Sequence, residues 1–337
     1  MIDTAEERKR SRLFLLIAGV REMGIGVFII LLIIAVSMRS PYFLTVDNFR
    51  DILMDIAILS MVAIGETLVL LTGSIDLSVA ATLALSGMIV GMTISGHGGI
   101  PPAVTLLMGM GVGAVLGSIN GLLVTKGRIP PIIATLGTLS IYRGLVFAIS
   151  GGAWVDAHEM PKSFVYLSKN TALGIPNLVL IAIVVAVIFY YFLNHTRTGR
   201  EVYAVGSNPE AARVAGLRVG RILFLVYLLS GILAGMAGVL WISRYASAQS
   251  DTAAGFELQA IAAAVVGGVS TLGGSGTIPG VLLGSLLLGI IINALNLIRI
   301  SPFWKLAVQG LIILLAVVSD ALMSRRLQRA QSLEKAS

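Results

Sequence analysis

The residues able to do chemistry in this chain are few, and their spacing does not suit catalysis. His97, His158 and His195 lie far apart in a sequence of 337 residues, and there is no Cys. Disulfides, thiol nucleophiles and thiolate metal sites are therefore excluded, and the three His are not spaced as a metal cluster. No G-x-x-x-x-G-K-[ST] phosphate loop, H-E-x-x-H or G-x-S-x-G occurs either. What remains is uncharged and polar: Asn120, Thr135, Thr138, Asn293 and Gln309, set on or between Gly-rich apolar stretches. A pathway lined by amides and hydroxyls exchanges hydrogen bonds with a neutral polyhydroxylated solute, such as a sugar, without binding an ion. For each residue taken singly, the competing role is an interhelical hydrogen bond.

Charge inside the apolar stretches is equally sparse, and Glu66, Arg143, Glu257 and Asp320 are among the few such residues. A central charge costs roughly 2.5–3.5 kcal/mol on insertion scales, so a proton or sodium relay would show more of them. An ion-coupled secondary transporter is the disfavoured alternative. Asp76 follows Gly73 and Ser74 where a carboxylate suits the positive end of a helix, and Arg143 lies within snorkelling reach of an interface. An intramembrane enzyme would need Ser with His or paired Asp within the spans, but all three His fall in loops.

These residues are carried by elements that belong in lipid. The chain is 56% hydrophobic and 12% charged, with a mean hydropathy of +0.94. Soluble domains carry about twice that share of charge. Apolar stretches at 18–38, 53–72, 75–95, 103–124, 132–150, 177–193, 222–242, 257–271, 281–298 and 305–323 give about ten spans of an all-α integral membrane protein. The break at residues 72–76 is so brief that the second and third could form one interrupted unit. Placing the N-terminus inside puts sixteen Lys and Arg on the cytoplasmic side and seven outside. This bias predicts cytoplasmic termini, and it accounts for most of the formal charge of +7 without any nucleic-acid partner. Residues 1–337 then read as a single transmembrane domain, with a cytoplasmic segment at 1–17, a cytoplasmic loop at 194–221 and a cytoplasmic tail at 324–337. Arg21 and Glu22 interrupt the first apolar run, which argues against a cleavable signal peptide.

Two internal patterns stand out. A G-x-G-x-I-P frame at 96–101 recurs at 274–279, each followed by a span that carries an Asn, at Asn120 or Asn293, and then by a Pro turn at Pro130 or Pro302. Under the charge-derived orientation the two copies cross the membrane in opposite senses, as expected of an inverted-topology repeat built for alternating access. Alternatively, Gly and Pro merely punctuate loops. Gly109, Gly113, Gly117 and Gly121 recur every fourth residue and lay a smooth ridge along one helix face, a packing device for close approach in lipid. The pairs Gly231 with Gly235 and Gly280 with Gly284 repeat it.

The most specific segment is the loop at 196–216. Asn208 can cap a helix, Pro209 suits its first position, Glu210 complements the positive end, and Gly216 can end it two turns later. A short cytoplasmic helix exposed for docking is predicted. Glu210, Ala211, Ala212 and Gly216 spell E-A-A-x-x-x-G, which resembles the loop by which bacterial ABC importer permeases engage their ATPase subunits. TGSIDLSV at 72–79, NGLLV at 120–124, PPIIATLGT at 130–138, TGREVYAV at 198–205, FELQAIAAAVVGGVSTLGGSG at 256–276 and SPFW at 301–304 resemble the ribose-type sugar permeases. Residues 141–158 and 239–246 look closest to rhamnose permeases, and less closely to autoinducer-2 permeases.

The resemblance implies a permease subunit of the bacterial inner membrane, not an enzyme, that imports a monosaccharide such as rhamnose by alternating access. Ribose, xylose or autoinducer-2 is the alternative cargo. It implies ATPase coupling through Asn208, Glu210, Ala211, Ala212, Arg213 and Gly216. No cofactor would reside in this chain, because ATP and Mg would be bound by the partner ATPase. The expected partners are that ATPase, a periplasmic or lipid-anchored sugar-binding protein, a second permease copy or paralogue, and membrane lipid.

Overall fold

The computed structural model describes residues 23–298 other than 98, together with 301, 304, 307, 310, 311, 314 and 318. Among these residues the chain is 77% helical. Seven helices are long and apolar enough to cross a membrane: α2 (Val46–Leu71), α3 (Val79–Gly96), α4 (Pro102–Thr125), α5 (Pro131–Ser150), α7 (Asn177–His195), α10 (Val219–Tyr245) and α12 (Ile278–Leu297). Two apolar helices are shorter, α1 (Met23–Arg39) and α11 (Phe256–Val266). The expected segments 1–17 and 324–337 and most of the expected span 305–323 lie outside the described residues.

The boundaries differ from the hydropathy reading where capping outweighs composition. α2 starts at Val46 rather than near residue 53, because the Thr45 hydroxyl accepts the Asn48 N–H at 3.3 Å and Asp47 sits in the first turn. The expected span 257–271 is the largest departure. α11 stops at Val266, only about 16 Å of helix at 1.5 Å per residue. Gly268, Gly273, Gly274 and Gly276 then take positive φ, which ends the helical run and folds 267–276 into turns.

α10 is the hub, lying against α2, α3 and α4, while α11 and α12 pack on α2 and α5 packs on α3. The seam between α10 and α4 is made of backbone. A Cβ built at Gly113 would fall on the Gly231 carbonyl, and one at Gly235 on the Gly109 carbonyl. Gly117 meets Tyr227 and Gly231, and Gly121 meets Phe224. The ridge of four glycines thus runs antiparallel along one face of α10, where the absent side chains let dispersion contacts form between main chains.

The break at 72–78 separates α2 and α3 into two helices, and α10 packs against both. Two short helices, α8 (Arg197–Ser207) and α9 (Pro209–Val214), cap one end of the bundle. At the opposite end lie a 3-10 turn (Ala157–Glu159), α6 (Lys162–Lys169) and a hairpin of β1 (Thr171–Ala172) with β2 (Ile175–Pro176), in register Thr171 to Pro176. Leu173 and Gly174 both take positive φ, as a two-residue primed turn requires. Ser168 of α6 is tied to α10 through Ser243, and Arg50 of α2 donates to the Lys169 carbonyl at 2.7 Å.

Candidate functional site

At the α8–α9 end, the predicted cap geometry is present atom for atom. The Asn208 side chain accepts the Ala211 N–H at 2.9 Å, Pro209 opens α9, and Gly216 has φ +84° just beyond its end. Glu210 and Arg213 form a two-pronged ion pair at 2.7 and 2.8 Å on the solvent side, while Ala212 is buried against the bundle. Ala211 is exposed, as is Val214. α9 therefore presents a charged and partly apolar outer face on a buried foothold.

Its neighbour α8 replaces what reads in the sequence as loop. Thr196 caps it by accepting the Gly199 N–H at 3.0 Å, and Val202, Val205 and Gly206 form its buried face. The helical spacing of these residues is present in the sequence, although Arg197, Thr198, Arg200, Glu201 and Ser207 obscure it. α8 sits directly on the end of α2. A Cβ at Gly206 would overlap the Leu71 carbonyl, the same oxygen that accepts the Gly274 N–H at 2.9 Å. Tyr203 donates to the Gly276 carbonyl at 2.8 Å, and burial pushes its phenol up to about 12, so it stays a neutral donor. One small junction thus joins α8 to both irregular segments, 72–78 and 267–276.

Between those segments and the bundle interior lies a polar chain that spans three elements. Asp76 N–H donates to Glu66 Oε1 at 3.1 Å, while Asp76 Oδ1 accepts the Ser78 N–H at 2.9 Å and the Ser78 hydroxyl at 2.7 Å. Asn120 Nδ2 then donates to Ser78 Oγ at 2.7 Å, and Tyr142 donates to the Leu116 carbonyl at 2.9 Å beside the Asn120 amide oxygen. Asp76 therefore does more than favour a helix end, because it anchors the break to α4. Glu66 is fully buried, with its second oxygen unpartnered. Neither role could be read from the sequence, where the two carboxylates are ten residues apart and carry no motif of their own.

The expected pathway residues separate into two places. Asn120, Thr135 and Thr138 are buried together around the break, with the Thr135 hydroxyl shared between the Pro131 carbonyl at 2.9 Å and the Ile75 carbonyl at 3.4 Å. Thr138 donates to the Thr135 carbonyl of its own helix at 3.3 Å. Asn293 is distant from them, exchanging amide bonds with Asn48 at 2.8 and 3.2 Å at the α6 end. Gln309 lies outside the described residues. Arg143 donates to the Thr252 carbonyl at 2.7 Å, bracing the loop that follows α10, and Arg244 pairs with Asp55. Among the described residues, no group of three or more His, Asp or Glu could hold a metal ion.

Residues 48–317 match the family model described as "Branched-chain amino acid transport system / permease component". The chain belongs to this permease family. Among its relatives, the ribose import permease protein RbsC of Bacillus subtilis is 41% identical over 88% of this chain and 91% of its own length. The D-allose transport system permease protein AlsC of Escherichia coli is 36% identical over 88% of this chain and 91% of its own. The autoinducer 2 import system permease protein LsrC of an Enterobacter is 37% identical over 92% and 90%. No solved structure matches. The permease is a multi-pass membrane transport component and not an enzyme.

Proposed function

We propose that this permease is the membrane-spanning subunit of an ABC importer for a neutral monosaccharide, driven by ATPase subunits that dock on α9. The observation that carries the proposal is the seating of α9. Its outer face holds Asn208, Glu210, Ala211, Arg213 and Gly216, and its inner face rests through Ala212 on a bundle whose junction at Gly206 touches both irregular segments. A push on α9 passes through α8 to Leu71 and Gly274, where two chain breaks can change direction without unwinding a helix. Rocking about those breaks would open Asn120, Thr135 and Thr138 to solute in turn. Asn293 and Gln309 would belong to the second half of an inverted repeat, with about ten crossings in all once α1, α11 and residues 305–323 are counted.

The relatives import ribose, D-allose or autoinducer 2 by name. The buried hydroxyls and amides here favour a solute of that polyhydroxylated kind. Rhamnose is our first candidate from residues 141–158 and 239–246, and ribose is the alternative. The reading places α8, α9 and both termini in the cytoplasm of a bacterial inner-membrane protein. ATP and Mg are bound by the partner ATPase, a sugar-binding protein delivers cargo at the α6 end, and a second permease copy or paralogue completes the pore.

Glu210→Arg combined with Gly216→Arg tests the coupling. The first reverses the charge of the acidic partner in the Glu210–Arg213 ion pair, and the second forces a side chain onto a backbone of φ +84° that has open space around it. The expected result is loss of co-purifying ATPase with normal insertion of the permease. An ATPase complex recovered in unchanged yield would refute the docking assignment. Uptake that ceases when the ion gradient collapses while ATP is maintained would instead favour a secondary transporter.

A further inference from the structure

The chain leaving α10 builds a feature that the coupling argument does not use. Residues 246–255, the end of α10 and the first turn of α11 border an open-mouthed cavity of about 600 Å³ at the α6 end, within the range of small-molecule sites. Its apolar wall is a cluster of rings. Trp241 stands edge-on to Phe256 with centroids 5.1 Å apart, and Tyr245 is tilted against the same indole at 5.0 Å. Its polar wall holds the amides of Gln249 and Gln259 and the carboxylate of Asp251.

The loop is held in shape at a cost. Among the described residues only four other than Gly take positive φ, and two of them, Ala246 and Ala253, bracket this cavity, with Gly255 beside them at φ +79°. Strained backbone persists only where surrounding contacts over-determine it. Here those contacts are the Arg143 bond to the Thr252 carbonyl and the bridge between Val155 and Ala248, whose two N–H···O bonds are each 3.0 Å. The cavity is thus preformed, and it is tied to α5, the helix that carries Thr135 and Thr138.

We infer that this cavity is a low-affinity subsite for a neutral monosaccharide at the delivery end of the permease. Rings stack on the C–H face of a sugar, while amides and a carboxylate exchange bonds with its hydroxyl groups. Among the described residues no Lys or Arg lines the cavity, so they offer an anionic solute no charge partner there. The inference rests on the proposed import function and names where cargo first meets this chain.

The test is saturation-transfer NMR on the full-length permease in lipid nanodiscs, with D-ribose, D-allose, D-xylose and L-rhamnose as probes. Uptake by the wild-type permease reconstituted with its ATPase and binding protein is measured in parallel. Transfer to at least one sugar is expected, falling at least threefold in Trp241→Leu and in Gln259→Leu and largely retained in Trp241→Phe. Tyr166→Leu, at the same end but outside the cavity, should match the wild type. Absence of transfer to every probe, or transfer unchanged in both Gln259→Leu and Trp241→Leu, overturns the subsite. If uptake persists in that case, only the subsite falls. If uptake is absent for all four sugars while transfer follows the expected pattern, the subsite stands and the import reading falls.

Discussion

The seam between α4 and α10 and the break at 72–78 touch the same helix, yet they are held by opposite physics. Along the seam, Gly109, Gly113 and Gly117 meet Gly231 and Gly235 main chain to main chain, with no polar side chain taking part. At the break, Glu66, Asp76, Ser78 and Asn120 are joined by polar bonds of 2.7–3.1 Å in a chain that fixes direction as well as distance. The difference is instructive. Close backbone packing has no alternative arrangement at slightly higher energy, whereas a polar chain can exchange partners. A rigid seam beside an exchangeable break suits a bundle that must move about one place while remaining whole.

Substitutions can break this contrast, and the largest effect belongs to the seam. Gly113→Val would drive a side chain into the Gly231 backbone, and overpacking of this kind costs about 3 kcal/mol or more when main chain is the obstacle. We expect loss of monodisperse protein on size exclusion. A well-folded variant would mean that the two helices can separate and that the seam is not rigid. The next effect belongs to the break. Asn120→Leu strips the Ser78 hydroxyl of its donor, and leaving buried polar groups short of partners costs about 1–3 kcal/mol. A folded permease with a lowered melting temperature and altered transport is expected, and an unchanged melt would show that the chain of bonds is incidental. The smallest effect belongs to Gly137 on α5, which has nothing within 4 Å of a built Cβ. Gly137→Ala should cost no stability and gain up to about 1 kcal/mol from helix propensity. A loss would reveal a close partner on that face, such as a second copy of the chain.

Legibility in the sequence followed the range of the interaction. Asn208, Pro209 and Gly216 were readable because a cap and its helix lie within four residues of each other, and the structure has the Asn208 cap at 2.9 Å. The Gly ridge was readable as a period of four on one helix. α8 was missed because its apolar face is only three residues deep and is bought by contact with Leu71 and Gly274, which are distant in sequence. The span at 257–271 was overextended because hydropathy averages across Gly residues that the backbone uses as turns.

The sequence by itself determined that this chain lives in lipid, that its connections carry most of the charge, that it has no ATPase motif, and that a capped helix follows Asn208. Those properties are sums over composition or contacts within one turn, so no partner is needed to fix them. Tertiary structure alone decided that Asp76 would meet Glu66 and Asn120, that Gly206 would settle on Leu71, and that Asn293 would face Asn48 rather than join Asn120. Each of these depends on how helices cross. In a bundle whose surface is apolar nearly everywhere, crossing is set by where glycine permits close approach and by where a buried polar atom can find its complement.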